Sequence, residues 1–251
     1  SFPTRRSSDL IAKLILHKMR MWDYRTANGV DHFIANSQFI ARRIKKVYGR
    51  EADVIYPPVD VNRFLLNEAK EDYYFTASRL VPYKRIDLIV EAFSHMPNRK
   101  LVVVGDGPEM QKIKSKATAN IEILGYQSNE VMQEHMRNAK AFVFAAEEDF
   151  GITPVEAQSC GTPVIAFGKG GSLETVRPFG VDNPTGILFD KQDIDSVIDA
   201  VQKFETMQDQ ILPNDCRAHA LKFSTERFNQ EISEYVNSKY CEFVENKKII
   251  Y

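Results

Sequence analysis

From residue 72 onward, short apolar runs alternate with longer stretches whose apolar residues recur every three or four positions. YYFTAS, KLVVVG, IEIL, AFVFAA, PVIAF and GILF read as strands. RIDLIVEAFSHM, PEMQKIKSKA, NEVMQEHMRN, TPVEAQSC and DIDSVIDAVQKF read as the helices between them. The strands are apolar at nearly every position, the pattern of a parallel sheet covered on both faces. A doubly wound α/β domain is therefore expected, with ligands at the carboxyl ends of its strands. A Gly-rich turn and short helix separate the last two strands, and residues 213–246 read as purely helical.

Upstream, residues 11–28 form a basic stretch of helical period, with Ile11, Leu14, Ile15, Met19 and Trp22 on one face. Asn28-Gly29 stops it. VDHFIANS then reads as a buried strand, Ser37 as the cap of helix QFIARRIKKVYG, and Gly49 as its end. ADVIY is a short strand, and the prolines of YPPVD break it into a linker. The first ten residues, SFPTRRSSDL, resemble the translation of a common sequencing adapter and are set aside as extraneous. Genuine sequence is then expected to begin at about Ile11, in mid-protein.

The 251 residues suffice for one large or two modest domains with a real core. A net charge of −1 conceals an asymmetry. Residues 11–50 hold nine Lys/Arg against Asp23 and Asp31, about +7, and residues 51–251 carry about −9. The basic segment suits an anionic partner, either acidic lipid or a phosphate-bearing acceptor, or is a solvated helix face. Cys160, Cys216 and Cys241 form neither a CxxC pair nor a disulfide framework, which fits a reducing cytoplasm. The five histidines lack ligand spacing, so no protein-held metal is expected; Cys160, His32 and His95 read as packed or structural residues. No apolar run approaches a membrane span.

Two constellations carry chemistry. The first strand of the regular series ends in Ser78-Arg79-Leu80-Val81-Pro82-Tyr83-Lys84. Arg79 and Lys84 flank a proline turn at a strand's carboxyl edge, where both can reach one anion or simply stand in a solvated loop. The second, Glu147 to Glu156, follows AFVFAA directly. Gly151 admits close backbone approach, Pro154 suits a first helical turn, and the amides of Gly151, Ile152 and Thr153 would face an anion at the helix's positive end. Glu148 before the turn and Glu156 on the helix could hold two sets of hydroxyls along one extended ligand.

R-x4-K followed by E-x7-E, with EDFG before the helix, resembles glycosyltransferase family 4, over about residues 20–230. That resemblance implies the two-domain GT-B fold. It divides the chain into a remnant of an amino-terminal acceptor domain with linker (11–65), a complete Rossmann-like donor-binding domain (66–225) and a carboxy-terminal helix (226–251). It implies catalytic roles for Arg79 and Lys84 on the donor diphosphate and for Glu148 on the transferred sugar. Glu156 would bind the ribose hydroxyls, Gly105 and Phe150 would belong to the donor-binding set, and the turn amides after Phe150 (Gly151, Ile152, Thr153) would complete a phosphate cradle. Gly105-Asp106-Gly107-Pro108 also matches the family. Met110 stands where a dinucleotide fingerprint needs its third glycine, which disfavours a dehydrogenase. Tyr126 would lie near the base, either stacking or packing, and Gly168, Gly170 and Gly171 near the donor.

MRMWDYRTANGVDHFIANS and EEDFGITPVEAQ resemble the branch of O-antigen mannosyltransferases using GDP-mannose. The family's acceptor-side histidine and Gly-rich donor loop belong to the amino-terminal domain and have no counterpart in this sequence; Trp22, Asp23, Tyr24 and Arg25 would belong to its remnant. The resemblance implies retaining hexosyl, specifically mannosyl, transfer with no metal required. Its partners would be a nucleotide sugar and a glycan or lipid-linked acceptor, with peripheral contact at an acidic inner membrane face and no nucleic acid. Two alternatives stand beside it: a non-catalytic nucleotide-sugar-binding fragment, and a sugar-nucleotide epimerase of similar fold.

Overall fold

The computed structural model describes residues 5–248, and the chain divides between Ile55 and Tyr56 into two compact units. In the first, α1 (Arg5–Ala27) leads through a turn at Asn28-Gly29 to β1 (Ile34–Ala35), α2 (Gln38–Tyr48) and β2 (Asp53–Val54). Residues 1–4 of the adapter-like segment lie outside the described residues, and residues 5–10 are the first turns of α1. Ser37 caps α2 by accepting the Ile40 amide at 3.1 Å, and Gly49 ends it in the left-handed region at φ 69°. The long strand expected over VDHFIANS shrinks to two residues. Among the described residues β1 pairs only with β2, itself two residues long, so no wider ladder extends it there. Leu14, Ile15, Met19 and Trp22 on α1 are all exposed.

The second unit holds six parallel strands, β3 (Glu71–Ala77), β4 (Leu101–Val104), β5 (Ile121–Gly125), β6 (Ala139–Phe144), β7 (Val164–Phe167) and β8 (Gly186–Phe189). The intervening helices are α3 (Ile86–Ser94), α4 (Met110–Lys116), α5 (Asn129–Asn138), α6 (Ile152–Ser159) and α7 (Ser172–Thr175). After β8 come α8 (Ile194–Met207), α9 (Pro213–Ala220) and α10 (Thr225–Lys248). The strand order is β5-β4-β3-β6-β7-β8. This is the doubly wound α/β fold expected from the uninterrupted apolar strands.

Alternate strand residues build two cores, because successive side chains point to opposite faces. Tyr74, Leu101, Val103, Val143, Ile165 and Ile187 pack with Ile89 and Phe93 of α3 and Val197, Val201 and Phe204 of α8. Phe75, Val102, Val104, Phe142 and Phe144 pack with Met136 of α5 and Ala157 of α6. Burying a residue of this size is worth about 1.5–3 kcal/mol, so both helical layers are firmly attached. A smaller cluster of Val59, Val61, Phe150, Val155, Ala220 and Phe223 joins the segment after Tyr56 to α6 and α9. That segment is tied further by the Val59 amide donating to the Phe223 carbonyl at 2.9 Å.

Candidate functional site

β3 and β6 are neighbours, yet the chain leaves β3 toward β4 and β5 and leaves β6 toward β7 and β8. The loops after these two strands therefore part and open a crevice at the switch point of the sheet. Both charged motifs follow these strands. A cavity of about 420 Å³ opens there, lined by Ser78, Arg79, Gly105, Tyr126, Thr153 and Glu156, with Asp106, Gln127, Asn129 and Met132 contributing. That volume suits a small-molecule site.

Within this wall, neither the Arg79 guanidinium nor the Glu156 carboxylate has a hydrogen-bond or ion-pair partner among the described residues. Glu156 is half-buried on α6, and that burial lifts its carboxyl above the usual range, opposed by the charge of Arg63. A charge taken partly from water without a partner is a cost that packing does not recover. Tyr126 lines the cavity at 83% exposure.

Lys84 and Glu148 lie outside the lining of this cavity and meet each other instead. Lys84 ends a 3-10 turn, Pro82–Lys84, whose first residue is the proline, and its ammonium donates to Glu148 Oε1. Both side chains are about one-fifth exposed. Burial pushes the Lys84 pKa down from the usual lysine value. The exposed Tyr83 ring lies 5.3 Å from the ammonium.

The turn into α6 has the geometry expected of it. Gly151 sits in the left-handed region (φ 85°, ψ 78°) at the helix cap, Ile152 and Thr153 open the first turn, and the amides there have no intrahelical acceptors. Thr153 reaches the cavity, Ile152 is exposed and Gly151 is buried. The Phe150 ring turns away from the cavity, into packing with Tyr56 (5.8 Å) and Phe223 (5.4 Å). Only the Phe150 backbone is left for a ligand.

Gly105 has a role beyond turning. At φ 140°, a Cβ there would stand 1.8 Å from the Ser78 carbonyl oxygen. The β4–α4 loop is in fact zipped to the β3–α3 loop. The Ser78 amide donates to Val104 O (3.1 Å), that of Leu80 to Asp106 O (2.9 Å), and that of Glu109 to Leu80 O (3.0 Å). Likewise the Gly171 amide donates to Glu148 O at 2.8 Å, and Cβ atoms at Gly170 and Gly171 would overlap the backbone of Glu148 and Phe150. The glycines read as donor contacts thus seat the loops that carry Arg79 and Glu148. Sequence reasoning missed Asn129 and Met132, although the cap at Ser128 places them on the first turn after the β5 loop.

Residues 60–223 match the model for glycosyl transferases group 1. The chain belongs to that family. Residues 4–63 match a second model, Glycosyltransferase Family 4. An uncharacterized glycosyltransferase of Methanocaldococcus jannaschii is 31% identical over 74% of this chain and 52% of its own length. A GDP-mannose-dependent monoacylated α-(1-6)-phosphatidylinositol monomannoside mannosyltransferase of Corynebacterium glutamicum is 29% identical over 67% of this chain and 51% of its own. The chain therefore spans about half the length of the curated relatives it matches. Among solved structures, Anabaena HepE in complex with UDP and glucose superposes with a TM-score of 0.72 at 24% identity, over 83% of this chain and 63% of that one. Sucrose-phosphate synthase of Thermosynechococcus elongatus gives 0.79 at 20%, over 90% and 62%. In this glycosyl transferases group 1 chain, no helix among the described residues is long and apolar enough to cross a membrane.

Proposed function

We propose that this chain binds a nucleotide sugar at the crevice between the β3 and β6 loops and serves hexosyl transfer from it. The observation that carries the reading is the pair of unpartnered opposite charges, Arg79 and Glu156, in one cavity wall. An anion for the guanidinium and hydroxyl donors for the carboxylate are what a nucleoside diphosphate linked to sugars supplies. On this reading Arg79, Lys84 and the α6 amides hold the diphosphate, Glu156 the ribose hydroxyls and Glu148 the sugar. As the glycosidic bond to phosphate breaks, the charge growing on the phosphate is met by Arg79, Lys84 and the helix dipole. These two cations do the work otherwise given to a metal, so none is invoked.

The finer reading is mannosyl transfer from GDP-mannose with retention at the anomeric carbon, to a glycan or lipid-linked acceptor. The mannosyltransferase relative of Corynebacterium glutamicum supports it, and UDP in the Anabaena neighbour keeps a uridine donor as the competing outcome. The same proposal places the protein at the cytoplasmic face of an acidic membrane, because residues 11–50 carry about +7. Since the chain spans about half of its relatives' length, donor binding is the activity we assign to it as it stands.

Calorimetry with GDP-mannose and UDP-glucose tests the reading. Arg79→Ala and Lys84→Ala should each weaken the preferred ligand by roughly 1.5–3 kcal/mol, the scale of charge-assisted hydrogen bonds. Unchanged affinity in both variants would overturn the assignment.

A further inference from the structure

Lys84 and Glu148 sit on loops that are 64 residues apart in sequence, and a third loop connects them. Gln192, between β8 and α8, donates from Nε2 to the carbonyl of Ala145 at 2.7 Å. Ala145 follows β6 directly and precedes Glu148 by three residues. The Gln192 Oε1 accepts from Nη1 of Arg85, the residue after Lys84, at 3.4 Å. One half-buried amide thus spans the segments that carry both members of the ion pair. Arg85 is held from its other side by Asp87, at 3.7 Å, which is fixed in turn by Lys112 at 2.9 Å.

The backbone at Arg85 is unusual as well. It lies in the left-handed region (φ 54°, ψ 33°), where only one other non-glycine residue, Asn183, has a positive φ among those described. A β-carbon is disfavoured there, and glycine would take the conformation freely. An arginine at this position keeps the turn but adds a side chain that reaches Gln192. Strain of this kind persists when surrounding contacts over-determine it.

We propose that Arg85 and Gln192 are positioning residues that hold Lys84 and Glu148 in the geometry that meets the donor. The proposal rests on the nucleotide-sugar reading given above. Neither residue touches the ligand cavity, so their effect passes through Lys84 and Glu148.

The test is a double-mutant cycle read by calorimetry with GDP-mannose and UDP-glucose, with thermal unfolding of each variant measured alongside. Gln192→Ala should weaken the preferred nucleotide sugar by about 3- to 10-fold, the range for one lost hydrogen bond. In a background carrying both Lys84→Ala and Glu148→Ala the same change should have no further effect, because both positioned groups are gone. Arg85→Gly should weaken binding to a similar extent while the unfolding temperature holds or rises. A general structural role would lower affinity equally in both backgrounds and would lower the unfolding temperature of Arg85→Gly; either result overturns the proposal. So does wild-type affinity in Gln192→Ala when Lys84→Ala is impaired. If Arg79→Ala and Lys84→Ala both bind like the wild type, the nucleotide-sugar reading fails and this proposal with it; wild-type affinity in Lys84→Ala alone overturns this proposal and leaves that reading standing.

Discussion

Replacing Glu156 should make the free chain more stable and a bound nucleotide weaker. The carboxylate is half-buried on α6, lifted above the usual range by burial, and meets no donor among the described residues. The sign follows from linkage. A carboxyl whose folded pKa is raised stabilises the fold below its unfolded value of about 4.5, and that contribution is lost as pH rises through the folded value. At pH 7 the folded chain therefore carries a charge it would rather not hold. Glu156→Gln removes that charge and keeps the shape. A gain on the order of 1 kcal/mol is expected, the low end for an incompletely buried polar group. Urea unfolding at pH 7 measures it, and the gain should shrink toward pH 4.

Binding should move the other way. If ribose hydroxyls donate to Glu156, losing the charge removes hydrogen bonds of about 1.5–3 kcal/mol in total, roughly 10- to 150-fold in affinity. GDP and GDP-mannose should lose equally, because the ribose is common to both. Calorimetry at pH 7 on the variant used for unfolding supplies the second half of the test. A variant that is less stable than the wild type and binds GDP within twofold of it would refute the reasoning. The carboxylate would then have a structural partner rather than a ligand.

Two further predictions follow from the packing. Gly105→Ala must move the β3–α3 loop, since its Cβ would stand 1.8 Å from the Ser78 carbonyl oxygen. A loss of about 2–4 kcal/mol is expected, against about 1 kcal/mol for Gly49→Ala, whose Cβ would meet nothing within 4 Å; equal losses in urea unfolding would show that the loops are not held in contact. His219 is buried beside Phe223, its pKa pushed down to about 4 by that burial with Lys222 and Arg177 adding to the effect, and its ring nitrogens lack side-chain partners. Its folded pKa lies below the unfolded 6.5, so stability is complete above pH 6.5 and falls toward pH 4 by up to about 3 kcal/mol; His219→Leu should flatten that part of the wild-type profile, and an unchanged slope would refute it.

The alternation of β and α was legible because each strand is apolar on both faces, which only a covered parallel sheet satisfies. Arg79 and Glu156 were legible because each follows or lies beside a strand's carboxyl end in a turn whose chemistry is local. What could not be read depended on partners distant in sequence. The turn at Phe150 was read locally, and nothing local indicates that Tyr56 and Phe223 pack on its ring. Gly105 was read from a local motif, and nothing local indicates that its lack of a side chain serves the approach of Ser78. Lys84 and Glu148 each suggested a ligand contact, and nothing local indicates that they meet. VDHFIANS had a strand's composition, yet strand length is set by the neighbour, and β2 offers two residues.

The difference between the two charge pairs at the switch point has a consequence for how a ligand is received. Arg79 and Glu156 have no partners among the described residues, so on the proposed reading a ligand that reaches them gains interactions and breaks none there. Lys84 and Glu148 are already joined, and a diphosphate that draws on Lys84 must share or break that ion pair. Breaking it leaves a carboxylate that is only about one-fifth exposed, a cost unless hydroxyl donors arrive with the phosphate. A bare nucleoside diphosphate brings none to that position on the proposed reading, whereas a nucleotide sugar brings both groups at once. The ion pair would then oppose capture of the spent nucleotide more than capture of the donor, a preference built from desolvation rather than from any added contact. The tether through Gln192 belongs to the same logic, because a pair that must open for one ligand and stay closed for another needs its two loops held at a fixed separation.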